Sequence, residues 1–169
     1  MKFMIIASLA VAAPLALAAG TDPDHSFYRS IAEGGMAEVD LGKLAEQKST
    51  DPKVKSFAQM MVKDHTAANE KLESLAASKQ ITLPKSLSTA DTATKTKLES
   101  LSGESFDKSY VQSQLKDHEK TVHLLQKEIS SGQDADAKAF AQSVLPTVEH
   151  HLQAVRTLAN EEGVKSASR

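Results

Sequence analysis

Four long segments of this chain carry apolar side chains at steps of three and four residues. At about 100° per residue, such steps place the apolar side chains in one stripe along a helix. The segments run over residues 26–48, 52–79, 104–131 and about 134–160. No alternating, strand-like pattern competes with them. The sequence therefore predicts an all-α fold built from four long helices.

The breaks between these segments predict how the helices are connected. Asp51 suits an N-cap and Pro52 the first helical position, so the first two helices are joined by a short turn and should be antiparallel neighbours. The next connection is much longer and contains a short polar helix over residues 88–101. Since it could travel the length of a bundle, we expect a ferritin-like four-helix bundle with a long crossover between its second and third long helices.

Residues 1–18 have the features of a secretory signal peptide. Lys2 precedes an apolar run, and Ala16-Leu17-Ala18 is the small-x-small pattern at which signal peptidase cleaves. The run is short for a bilayer span of about 20 residues, and Pro14 interrupts it. We therefore predict cleavage after Ala18 and a periplasmic protein with no integral membrane segment. Its helical bundle would span residues 26–160, and residues 161–169 would form a flexible tail.

Composition disfavours several classes of function. The chain has no cysteine, which excludes disulfides, thiolate metal sites and a lipid-anchored cysteine. Without residues 1–18, 19 basic side chains stand against 22 acidic ones with both signs scattered, a pattern that gives no indication of nucleic-acid binding. There is neither a serine nucleophile elbow nor a glycine-rich phosphate loop, so an enzyme is disfavoured. No feature identifies a protein partner.

One ionisable side chain lies on the core-facing stripe of each long helix. His65, for example, lies about 40° from Met61 on its helix. Unpaired buried groups of this kind are costly, so four of them together indicate a shared site. Facing side chains converge on the axis of a bundle, and imidazoles with one carboxylate suit zinc, copper, nickel, manganese or ferrous iron. We predict one divalent transition-metal ion held by Glu38, His65, His118 and His151.

A metal-free polar network is the main alternative. In that case Glu38 would accept hydrogen bonds from protonated histidines, and the protein would serve as an envelope stress or interaction protein. A di-iron site is disfavoured because the residues three positions before the histidines are apolar, where such sites carry glutamate. Asp64 is expected either to partner a metal ligand or to lie at the surface. The histidines off the stripes, which are His25, His123 and His150, are expected to face solvent.

If neutral imidazoles bind the ion, protons compete with it. The sequence alone then predicts that metal affinity weakens as the pH falls through the ordinary imidazole range, near about 6.5.

An ordered set of motifs resembles a known family. The motifs are Glu38-Val39-x-Leu41-Gly42-x-Leu44-Ala45, Val54-Lys55-x-Phe57-Ala58-Gln59-Met60-Met61-Val62-x-Asp64-His65, Phe106-Asp107-x2-Tyr110-Val111 ahead of His118, and Leu145-Pro146-x4-His151-Leu152. Over residues 27–158 they resemble the bacterial exported family called domain of unknown function 4142. The resemblance implies a ferritin-like four-helix bundle in the cell envelope and no established activity. The recurrent Glu and His positions of that family correspond to the same four predicted ligands.

Overall fold

The all-α prediction is confirmed by the structure, a computed structural model that describes residues 23–164. Within this range the chain forms five helices and no strand. They are α1 (Pro23–Lys48), α2 (Pro52–Ser78), α3 (Thr89–Glu99), α4 (Gly103–Ser131) and α5 (Ala135–Glu161). The predicted signal peptide lies outside the described residues. None of the helices in residues 23–164 is long and apolar enough to cross a membrane.

The helix starts follow from local chemistry. Oδ1 of Asp51 accepts hydrogen bonds from the amides of Lys53 (2.6 Å) and Val54 (3.3 Å), so Asp51 is the predicted N-cap of α2. Asp134 caps α5 in the same way. The first helix begins at Pro23, three residues before the predicted start, with proline at the first helical position.

Contacts between helix ends give the direction of each helix. Thr50, in the turn between α1 and α2, donates a hydrogen bond to Asp107 near the start of α4. Lys53 near the start of α2 pairs with Glu161 at the end of α5. At the opposite end of the bundle, Tyr28 near the start of α1 donates to the residue that caps α5. Helices α1 and α5 therefore begin at one end of the bundle, and α2 and α4 begin at the other.

The packing of these helices is that of a ferritin-like bundle. Helix α1 packs mainly against α2, and α4 against α5, while α1 also contacts α4 and α2 contacts α5. Helices α2 and α4 are thus parallel and lie diagonally opposite each other. In a simple up-and-down bundle, successive long helices are instead antiparallel neighbours. The connection between them travels the length of the bundle. Helix α3 lies in this crossover and packs against α1 and α4.

The core consists of two apolar clusters with a polar layer between them. On α1, Leu41 and Ala45 belong to one cluster and Phe27, Tyr28 and Ala32 to the other. The other long helices are divided in the same way, and on each of them a predicted ligand falls between its two groups. The polar layer is formed by Glu38, His65, His118 and His151, all of which are buried.

The last helix differs from the sequence prediction in its final residues. It continues through Pro146 and ends at Glu161. The amide of Val164 donates to the carbonyl of Ala159 (2.8 Å), and Val164 packs against the core. Residues 161–164, which we assigned to a tail, therefore continue the folded bundle, and residues 165–169 lie outside the described residues.

Candidate metal centre

Three of the four predicted ligands meet at the centre of the bundle. His65 on α2, His118 on α4 and His151 on α5 each offer a ring nitrogen, and the three nitrogens lie within 4.8 Å of one another. The side chains are 8%, 1% and 1% exposed, respectively. Each imidazole comes from a different helix, so the cluster exists only when all three helices have docked in this rotation.

The tautomer of His118 is set by its own helix. Its Nδ1 lies 2.9 Å from the carbonyl oxygen of Gln114, one turn earlier. Because a carbonyl oxygen only accepts, Nδ1 carries the proton and Nε2 keeps a free lone pair. That Nε2 is buried and has no hydrogen-bond partner within the part of the chain that the structure describes.

A carboxylate sets the tautomer of His151. Its Nε2 lies 3.0 Å from Oδ2 of Asp64, which precedes His65 on α2. Nε2 therefore donates to Asp64, and the lone pair is on Nδ1, which is buried and has no partner among the described residues. Nε2 of His65 is also buried, and no group in residues 23–164 hydrogen-bonds to it. The alternative in which Asp64 partners a candidate ligand is thus the one that the structure supports.

Glu38, the fourth predicted ligand, lies beside the three imidazoles. It does not belong to the group of atoms within 4.8 Å of one another, and its Oε1 is 3.7 Å from Nδ1 of His118. Burial raises the pKa of Glu38 to about 8. The side-chain amide of Gln114 lies near Glu38 and partly opposes this rise in pKa. Neither amide atom, however, reaches hydrogen-bond geometry. At neutral pH the carboxyl is therefore mainly protonated, and Glu38 and His118 do not form an ion pair.

The buried imidazoles resist protonation. Burial lowers the pKa of His65 to about 3 and that of His118 to about 4, and repulsion from the neighbouring histidines adds to both effects. Burial also lowers the pKa of His151, although Asp64 opposes the change. The expected competition between protons and a metal near about pH 6.5 is thus moved to lower pH, because the folded protein keeps these rings neutral.

Two further buried polar residues on α4 were not predicted from the sequence. Gln114 and Tyr110 are fully buried. Within the described range, both side-chain amide atoms of Gln114 and the hydroxyl of Tyr110 lack hydrogen-bond partners. Tyr110, Gln114 and His118 follow one another at steps of four on α4. That step is the signal that could have revealed a polar stripe reaching the site. The other three histidines, which are His25, His123 and His150, are exposed as expected.

The donor set fits a transition-metal ion. Three buried nitrogens have no hydrogen-bond partner among residues 23–164, and leaving such a group unsatisfied costs about 1–3 kcal/mol. For two of the rings the opposite nitrogen is held by Gln114 or Asp64, the arrangement that orients metal-bound histidines. Neutral imidazoles bind zinc, copper and nickel. The chain has no cysteine, so it offers no thiolate that would favour softer metal ions.

Solved structures with this fold include two DUF305 proteins and CopM, which was solved with bound copper. A DUF305 protein from Streptomyces coelicolor is 17% identical over 88% of this chain and 97% of its own, with a TM-score of 0.73. A DUF305 fragment from Deinococcus radiodurans is 14% identical over 85% and 97%, with a TM-score of 0.71. CopM in its Cu(I)-bound form is 13% identical over 82% and 96%, with a TM-score of 0.67. At these identities the likeness establishes a shared fold alone.

Sequence comparison adds the family. No curated protein matches the chain. The family described as domain of unknown function (DUF4142) matches residues 9–158, which include the whole polar layer and all five helices except the last three residues of α5. The chain therefore belongs to the DUF4142 family.

Proposed function

We propose that this protein is an exported, periplasmic helical bundle that binds one transition-metal ion through His65, His118 and His151. Glu38 adds a carboxyl group next to the ion. This carboxyl group ionises when the positive charge of the metal is present. The role is that of a metal-binding protein; the sequence disfavours an enzyme because it has neither a serine nucleophile elbow nor a glycine-rich phosphate loop.

The observation that carries the proposal is the set of three unpartnered imidazole nitrogens in one buried cluster. Two of them keep their lone pairs because Gln114 and Asp64 hold the protons on the opposite nitrogens. In a closed, metal-free network these nitrogens would accept hydrogen bonds, and the cost of leaving them unsatisfied counts against that alternative.

Copper is the first metal to test. For a given set of nitrogen ligands, divalent affinities rise along the first transition row to a maximum at Cu²⁺. The structures of CopM with Cu(I), Cu(II) and silver show that a bundle of this fold can hold such ions in another protein. Export to the periplasm rests on the signal-peptide features of residues 1–18. The description of the Streptomyces neighbour as a candidate secreted protein is consistent with it.

The test is a metal titration of untagged protein. Wild type should bind about one equivalent of Cu(II) and, more weakly, Zn(II), as measured by calorimetry against a competing chelator. His118→Gln keeps much of the side-chain volume and removes one ligand, so the affinity should fall at least about 100-fold, more than for the loss of an outer hydrogen bond.

His123→Gln is the matched control, since His123 lies on the same helix and is exposed. It should bind like wild type. Failure of wild type to bind any of the first-row metals would defeat the proposal, as would equal binding by His118→Gln. Glu38→Gln should weaken binding less than His118→Gln, because Glu38 lies outside the cluster of nitrogens.

A further inference from the structure

A cavity of about 260 Å³ lies next to two of the three imidazoles, those of His65 and His151. All four long helices contribute to its walls, and Glu38, His65 and His151 are among the lining residues. Most of the remaining wall below the surface is apolar. Leu125, Phe140 and Val148 are buried there, and Ile31, Ala68 and Val144 are half-buried. The cavity therefore joins an apolar chamber to the polar layer of the bundle.

The space exists partly because α1 carries a glycine at residue 34. A Cβ atom added at Gly34 would meet nothing within 4 Å, so free space lies where a side chain would be. A Cβ added to the adjacent Gly35 would come within 2.0 Å of Oδ1 of Asn69. Gly35 thus makes room for Asn69 of α2, whereas Gly34 leaves part of the cavity open.

The size and lining suit a small organic molecule. An apolar cavity of about 150 Å³ already binds benzene in another protein. The cavity here is larger, and its lining includes exposed residues such as Lys71, Ser143 and Thr147, so it reaches the surface. A ligand could therefore enter without unfolding of the bundle.

We propose that this cavity binds a small aromatic nitrogen heterocycle, with its ring system among the apolar residues and its nitrogen facing His65 and His151. An uncharged head group fits because a buried charge is costly and the site already holds the carboxyl of Glu38. Three imidazoles leave at least one position open on a four-coordinate metal ion, and the heterocycle nitrogen takes that position. This last contact rests on the metal site proposed above, whereas the apolar pocket does not depend on a metal.

The first experiment uses metal-free protein and 4-phenylimidazole as the probe. Binding is followed by amide chemical shifts in NMR spectra. We expect saturable shifts that are largest for residues lining the cavity. Gly34→Leu fills the space from α1, and Val144→Phe fills it from α5, so each should weaken binding at least tenfold. Gln47→Leu, an exposed position on α1, adds a leucine outside the cavity and should leave binding unchanged.

The second experiment repeats the titration on cobalt-loaded protein and records the visible absorption of Co(II). The probe should change the spectrum of wild type and of Gln47→Leu but not that of Gly34→Leu, with equal cobalt affinity in all three. A spectrum that stays constant at saturating probe would overturn coordination by the heterocycle.

The two proposals can fail separately. If wild type binds none of the first-row metal ions, the metal function fails and the pocket is decided by the metal-free titration alone. Absence of saturable shifts there, or unchanged binding in both cavity-filling variants, would overturn the pocket.

Discussion

At the scale of single residues, the site depends on which ring nitrogen carries the proton. Gln114 holds the proton of His118 on Nδ1 through its backbone carbonyl, whereas Asp64 holds that of His151 on Nε2 through its carboxylate. The backbone contact survives any substitution of Gln114. The contact from Asp64 can be removed by mutation, and it therefore offers a direct test of the role of ring orientation.

We expect Asp64→Ala to weaken metal binding by about 10–100-fold, the usual effect of losing an outer hydrogen bond to a metal-bound histidine. Glu70→Ala, at an exposed position on the same helix, is the control and should bind metal like wild type. Competition titrations with Zn(II) and a chromogenic chelator measure both variants. Equal affinity of the two variants would mean that Asp64 does not orient a ligand.

The shifted pKa values predict how the stability of metal-free protein depends on pH. The unfolded state takes up imidazole protons near about pH 6.5, but folded His65 and His118 do so only near about 3 and 4. These groups therefore lower stability as the pH falls below about 6.5. Glu38 acts in the opposite direction, since its folded pKa of about 8 exceeds the ordinary 4.5 and stability is lost as the pH rises between these values.

Urea unfolding with chelator present measures the free energy of unfolding. As the pH rises from 6.5 to 8, this free energy should fall less for Glu38→Gln than for wild type. Below pH 6.5 both proteins should lose stability as the histidines of the unfolded state become protonated. Identical slopes above pH 6.5 would contradict the assignment of a raised pKa to Glu38.

At the scale of elements, capping side chains define where helices begin, and packing defines how they cross. Asp51 starts α2 directly after the turn from α1, so the two helices form a tight hairpin. Gly42 contributes to the packing of this hairpin, because a Cβ atom there would lie 2.8 Å from Cγ2 of Val62. Helices α1 and α2 therefore approach each other closely at Gly42 and at Gly35, whereas Gly34 leaves space for the cavity.

Asp51→Ala should cost about 1 kcal/mol of stability through the loss of the N-cap. In a chain of this length that corresponds to a fall in Tm of about 2–4 °C, measurable by circular dichroism at 222 nm. Metal affinity should not change, since the site lies several turns further along α2. Glu73→Ala, exposed in the interior of the same helix, should leave Tm within about 1 °C of wild type.

At the scale of the whole molecule, the polar layer divides the apolar core into two clusters that share Val122 at their edges. The three imidazoles come from α2, α5 and α4, where α5 packs against both other helices and α2 and α4 lie on a diagonal. An ion bound at this point therefore links three helices, and its binding free energy adds to the stability of the folded chain.

We expect metal to raise Tm by about 5–10 °C at a free concentration 100 times Kd, because binding then contributes about 2.7 kcal/mol to stability. Excess chelator should return Tm to the metal-free value, and His118→Gln should show neither change. Thermal melts that are identical with chelator and with added copper or zinc would leave the metal-binding role without support.

The sequence by itself determined the helices and the faces that they bury. Helical periodicity and capping are local properties, so the short turn at Asp51, the crossover and the inward positions of the three histidines could all be predicted from spacing. The boundaries differ by a few residues, as at Pro23, because helix ends depend on neighbours as well as on propensity.

Only the tertiary structure decided which inward side chains meet. Four helices can each direct a ligand inward, yet the rotation and height of each helix are set by packing across the whole core. That packing brings three imidazoles together, places Glu38 on the protonated side of His118, and gives His151 its partner Asp64 from another helix. It also leaves the cavity beside Gly34, because a void is the space between elements and no local pattern encodes it.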